Sequence, residues 1–131
     1  MIVHAYATLT LYFASLEERD KLLSVVQGSP LHSHGRTASS KDGALHSIHL
    51  SSEQIGATRD IADHLTWLER ASNDLDVLSN GAPSASRVVL WIYTEVATEG
   101  NAGMSLPPSS ISWLARLGAE VVVDLWPEAL E

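Results

Sequence analysis

Residues 3–13 read VHAYATLTLYF, and their alternation decides the fold. The odd positions are apolar (Val3, Ala5, Ala7, Leu9, Leu11, Phe13), whereas the even positions carry His4, Tyr6, Thr8, Thr10 and Tyr12. A period of two is the signature of a strand, whose successive side chains point to opposite sides of the sheet. One side of this strand buries aliphatic residues, and the other presents hydroxyls and aromatic rings. Had both sides been covered, the Thr8–Thr10 side would more often be aliphatic. The segment therefore predicts helices on one side of a sheet only.

Working outward, Ser15 precedes Glu18 by three residues, a capping-box spacing that opens a helix carrying Leu16, Leu22, Leu23, Val25 and Val26. Gly28 and Pro30 are its expected stop. Residues 31–43 show no period and read as a loop with at most a short edge strand. Strand-like alternation returns over residues 44–51. The longest helix is expected from Thr58 to Ser79, where Ile61, His64, Leu65, Leu68, Ala71, Ser72, Leu75 and Leu78 recur at helical spacing. Residues 87–96, RVVLWIYTEV, are apolar on both sides and predict a central strand. Residues 98–104 read as a loop. Ser105 is the expected cap of a short helix with Pro107 and Pro108 in its first turn, ending at Gly118, and a last strand runs from Ala119 to Trp126.

Strands separated by helices favour right-handed crossovers, which place successive helices on the same side. The expected architecture is α/β (α+β): a two-layer sandwich with a mixed sheet of four or five strands, three helices on one face, and a ferredoxin-like outline. The expected core is Val3, Ala5, Ala7, Leu9, Leu11, Leu22, Val26, Ile61, Leu65, Leu68, Leu75, Val88, Leu90, Ile92, Leu114, Leu117, Val121 and Val123.

The chain has 131 residues, 45% of them hydrophobic, which suits one globular domain over residues 1–131. Sixteen acids against eight bases give a formal charge of -8, a balance that argues against binding phosphate backbones, so no nucleic-acid partner is expected. From Glu95 onward there are six acids and one base, Arg116. Cysteine is absent, so thiolate metal sites and thiol nucleophiles are excluded. The first residues lack the basic start of a secretion signal, and no apolar run is long enough to span a membrane. The expectation is a cytoplasmic protein without a membrane partner.

Chemical motifs are sparse. The histidines (His4, His32, His34, His46, His49, His64) include no convincing ligand set: His32 and His34 share a strand face but have no acid nearby in sequence, and His46 and His49 fall on opposite faces. Nucleophile elbows and phosphate-binding loops are absent. The acid pairs Asp60/Asp63 and Asp74/Asp76 belong to a solvated helix face. His64 lies on the apolar stripe beside Leu65 and Leu68, the place of a histidine satisfied by one hydrogen bond. No metal, cofactor or catalytic residue is expected. The alternatives are a small hydrolase using His64 or another histidine with a carboxylate and a serine, or a homodimeric structural protein.

Parity then defines a surface. The even face of the first strand, extended by Trp91, Tyr93 and Glu95 and by Glu120, Val122, Asp124 and Trp126, gathers all three tyrosines and two of the four tryptophans. Tyr and Trp bury large areas at low entropic cost, and acids steer cationic partners. Tyr6, Tyr12, Trp91, Tyr93, Glu95, Glu120 and Asp124 are the expected partner-binding residues. A homodimer is the other occupant of such a face.

The segments YATLTLYF, SIHLSSE, DIADHLTWLERA, VVLWIYTE and ISWLARLGAEVVVDLW, spanning residues 6–126, together resemble a family of small bacterial proteins classed as a domain of unknown function. His64 with Trp67, and Leu117–Gly118 before the last strand, carry the resemblance; Ile48 departs from it, standing where a Trp is expected. The resemblance implies an α/β fold and no established activity. By size and charge alone, the analogy is to immunity proteins, which cover the active site of a toxin.

Overall fold

A computed structural model of the chain describes residues 2–27, 32–40, 43–56, 60–73, 85–96 and 104–127. Strand β1 (Ile2–Phe13) leads into helix α1 (Leu16–Gln27), followed by strands β2 (His32–Ser40) and β3 (Gly43–Ser51). A short 3-10 turn (Glu53–Ile55) precedes α2 (Ile61–Asn73), β4 (Arg87–Val96), α3 (Pro108–Leu117) and β5 (Glu120–Pro127). The protein is thus an α/β chain whose described residues form three α-helices and a mixed, open, five-stranded sheet of order β2-β3-β1-β4-β5. All neighbours are antiparallel except β4 and β5, which run parallel and are joined through α3.

Strand β1 occupies the middle of this sheet. The strongly apolar β4, expected at the centre, lies one place from the edge: two-sided apolarity marks an interior strand without saying which one. The odd side of β1 forms the core. Ala5, Ala7, Leu9, Leu11 and Phe13 are buried and cluster with Ile48 and Leu50 of β3, Val88, Leu90 and Ile92 of β4, Leu22 and Val26 of α1, Ile61, Leu65 and Leu68 of α2, and Trp113 and Leu114 of α3. The ladder explains the match, because Leu9 faces Leu50 on one side and Leu90 on the other, and Leu11 faces Ile48 and Val88.

Local chemistry sets the ends of the helices. The Glu18 amide donates to Ser15 Oγ at 3.3 Å, which caps α1 where the sequence placed a cap. Gly28 and Pro30 lie outside the described residues. Helix α3 starts with Pro108, and its cap is Pro107, not Ser105 as expected; no side chain caps it. It ends at Gly118 in a left-handed conformation (φ 65°), with the Gly118 amide donating to the Ala115 carbonyl and the Ala119 amide to that of Leu114.

Four further expectations need correction. Residues 32–40, read as a loop, form a full strand paired with β3 from His32–Ser51 to Ser40–Gly43. Their polar sequence has no period, and the ladder to β3 pairs them along their whole length. Gly35 fits the same account: a Cβ there would lie 2.8 Å from Arg19 Nη1, and that guanidinium donates to the Arg36 carbonyl at 3.0 Å, bringing α1 close over the hairpin. Helix α2 begins at Ile61, with Asp60 outside it; residues 58–59 and 74–79 of the expected helix lie outside the described residues. Val121 and Val123, expected in the core, are 42% and 44% exposed because β5 is an edge strand, while Leu117 is only partly buried. Leu75 lies outside the described residues. Among the described residues, no helix is long and apolar enough to cross a membrane.

Candidate functional site

The even side of β1 is the face singled out by the sequence, and the strand register assembles it. Tyr6 pairs with Tyr93, Thr8 with Trp91, Tyr12 with Arg87 and His4 with Glu95. Across the parallel ladder, Trp91 pairs with Val122, Tyr93 with Asp124, and Glu95 with Trp126. Val89 pairs with both Thr10 and Glu120. All seven expected partner-binding residues therefore share one face, because paired positions point the same way.

Within that face the aromatic groups are ordered. The Tyr6 and Tyr93 rings stack, with centroids 4.8 Å apart and planes inclined by 21°. Burial raises the pKa of both hydroxyls, with the Asp124 carboxylate reinforcing the shift in each and Glu53 also acting on Tyr6. The Arg87 guanidinium lies 5.9 Å from the centre of the Tyr12 ring. Trp91 and the three tyrosines are half-buried. The face is less open than alternation alone implied, since Thr10 and Val89 on it are fully buried.

The acids are less available than their number suggests. Glu95 Oε2 lies 2.8 Å from His4 Nδ1. Glu120 accepts a two-pronged contact from Arg87, at 3.1 and 2.8 Å, and that hydrogen bonding holds its pKa below the usual carboxylate value. Asp124 makes no ion pair among the described residues. His4 and Arg87 were not among the expected site residues. Their signal was present, since each continues the alternation of its strand onto this face. A polar network adjoins the site: His49 lies 3.1 Å from Thr10 Oγ1 through Nδ1 and 3.0 Å from Ser47 Oγ through Nε2.

The hydrolase alternative needs His64 or another histidine beside a serine and a carboxylate, and His64 has the serine. Ser52 Oγ lies 2.6 Å from His64 Nδ1, and both residues are fully buried. The same oxygen accepts from the Ala7 amide at 2.9 Å and lies 3.2 Å from the Ala7 carbonyl, while the Ser52 amide donates to that carbonyl at 3.0 Å. Ser52 thus caps the end of the β1–β3 ladder and ties it to α2. His64 Nε2 has no hydrogen-bond partner among the described residues. Burial lowers the His64 pKa, opposed in part by the Ser52 and Gly56 backbone and by Asp63. Among the described residues no carboxylate hydrogen-bonds to either side chain, and complete burial denies a substrate access to the pair.

A cleft of about 370 Å3 lies beside α2, lined by Ile55, Asp63, Thr66, Trp67 and Arg70. It contains none of the sheet-face residues and not His64. Among the described residues, no group of three or more metal-ligating side chains converges. Comparison of the chain with protein-family models, with curated proteins and with solved structures finds no match. The resemblance to a bacterial family rests on the quoted segments alone.

Proposed function

We propose that this chain is a protein-binding module, a cytoplasmic immunity protein that neutralises a cognate bacterial toxin by covering it with the even face of its sheet. The architecture in this reading is a two-layer sandwich with its helices on the opposite side. It is ferredoxin-like in outline from β1 to β4, with α3 and β5 added at the edge. The strand order β2-β3-β1-β4, antiparallel throughout, and the single core cluster joining all three helices to the odd face of β1 support it.

The observation that carries the functional reading is the stacked, half-buried Tyr6–Tyr93 pair beside Trp91 and Asp124. Rings held in place before binding lose little freedom on docking, which is what an interface anchor needs. Asp124, which makes no ion pair among the described residues, supplies the charge that favours a cationic partner. The competing hydrolase reading has Ser52 at hydrogen-bond distance from His64 in its favour and the burial of both against it.

The test is capture from the host of origin with wild-type chain as bait, followed by calorimetry of the captured protein against wild type, Trp91→Ala and Glu95→Lys. The reading expects a basic protein whose binding weakens in both variants. Capture of nothing, or of a protein indifferent to both substitutions, overturns it.

A further inference from the structure

Three strand carboxylates stand on the even face, and two of them are answered by the chain's own basic side chains. Glu95 Oε2 lies 2.8 Å from His4 Nδ1, and Glu120 takes both prongs of Arg87 at 3.1 and 2.8 Å. The Glu120 contact is built in layers across the sheet. The Arg87 guanidinium, carried by β4, lies 5.9 Å from the centre of the Tyr12 ring of β1 and holds the carboxylate on β5. Ring, guanidinium and carboxylate thus follow the strand order β1-β4-β5.

The third carboxylate differs. Asp124 is half-buried, and its side chain makes neither a hydrogen bond nor an ion pair among the described residues. Its row across the sheet is Tyr6, Tyr93 and Asp124. Stacking with Tyr6 turns one side of the Tyr93 ring toward β1, and the other side is turned toward β5, because β4 lies between those strands. The stack therefore ends beside a carboxylate one strand away, a spacing of about 4.8 Å. A phenol ring reaches further from the sheet than an aspartate carboxylate, so a planar group set on the carboxylate lies against the ring. Asp124 also reinforces the rise that burial gives to the pKa of both tyrosine hydroxyls. Val122 and Trp126 flank it on the same side of β5, with Trp126 58% exposed.

We propose that Asp124 and the β5-facing side of the Tyr93 ring form a seat for one guanidinium group, an arginine side chain of the binding partner. The carboxylate accepts two N–H bonds and the ring stacks on the guanidinium plane. Arg87, set between Tyr12 and Glu120, is the same chemistry made within the chain, and it is what identifies the occupant. An ammonium fits less well, since it is compact, strongly hydrated and has neither a plane to stack nor a fork of donors. The chain's formal charge of -8 draws a cation toward the face. The inference rests on the even face being a binding surface and names the group that face reads; it does not require the partner to be a toxin.

Nα-acetylarginine amide and Nα-acetyllysine amide, each titrated into the full chain at low ionic strength and followed by NMR of the backbone amides, test the seat without a captured partner. The expected result is saturable shifts centred on Tyr93, Asp124 and Trp126, with the arginine compound binding about fivefold or more tighter than the lysine compound. Asp124→Asn, which keeps the shape of the side chain, is expected to weaken the arginine compound by about fivefold or more while leaving the amide spectrum away from the seat unchanged. Tyr93→Leu is expected to abolish the preference for arginine over lysine. The absence of saturable shifts at these residues overturns the proposal, as does equal binding of the two compounds or an Asp124→Asn chain that binds the arginine compound like wild type. A captured partner that is weakened by Trp91→Ala and indifferent to Asp124→Asn overturns the seat and leaves the interface standing. Binding of the arginine compound as described, with no partner captured, supports the seat and overturns the toxin reading.

Discussion

Tyr6 and Tyr93 face each other across adjacent antiparallel strands, their rings stacked at 4.8 Å on the even side of β1, opposite its buried odd side. The pair links the sequence to the proposed interface: alternation selects the face, register brings the two rings together, and stacking fixes them in one geometry. Stacked pairs contribute beyond the area they bury. A double-mutant cycle of Tyr6→Ala and Tyr93→Ala, followed by chemical denaturation, is expected to give a coupling of about 0.5–1.5 kcal/mol. Additive single effects would contradict the stack.

Val25 and Val26 are the same residue type on neighbouring positions of α1, with 43% and 0% exposure. Helix propensity changes equally in both on substitution by alanine, so the difference isolates packing. Val26→Ala is expected to lose about 2 kcal/mol more stability than Val25→Ala, read from urea midpoints. Equal losses would mean that α1 is turned differently on the sheet.

Gly118 joins α3 to β5 in a conformation that favours glycine. Gly118→Ala is expected to cost about 1 kcal/mol, measured by the same unfolding transition. A neutral or stabilising substitution would contradict the left-handed cap.

His64 links stability to pH. Its pKa is lowered in the folded protein by burial, so the unfolded chain takes up a proton at a higher pH than the folded one. The contribution is fully present above the unfolded value of about 6.5 and is lost as pH falls through 6.5 toward the depressed native value. The drop in unfolding free energy between about pH 8 and about pH 5 is expected to be smaller in His64→Gln than in wild type. An equal drop would contradict the assignment. Ser52→Ala, which strips a partner from both the Ala7 amide and His64, is expected to cost about 1–3 kcal/mol at neutral pH.

The parity of β1 was legible because its two sides differ in every residue pair, and so was the membership of Tyr6, Tyr12, Trp91 and Tyr93 in one face. The Ser15 cap and the Gly118 stop were legible for local reasons, since each depends on a few neighbouring residues. Strand β2 was not, because HSHGRTASS has no apolar period to read, and its pairing with β3 is a contact the sequence does not show. Alternation placed Val121 and Val123 on the helix side but carries no information about strand order, so their exposure at an edge was hidden. Ser52 escaped for a third reason: its bonds run to Ala7 and His64, contacts made by the fold between segments far apart in sequence. The partnering of Glu95 and Glu120 by His4 and Arg87 needed the register, which composition does not supply.

Calorimetric titration of the captured partner into wild type and into Trp91→Ala is the most direct test of the sheet face as a binding surface. The account predicts that truncating Trp91 weakens binding by about 1–4 kcal/mol while the variant keeps its fold. A variant that is folded and binds the same partner with unchanged affinity would contradict it.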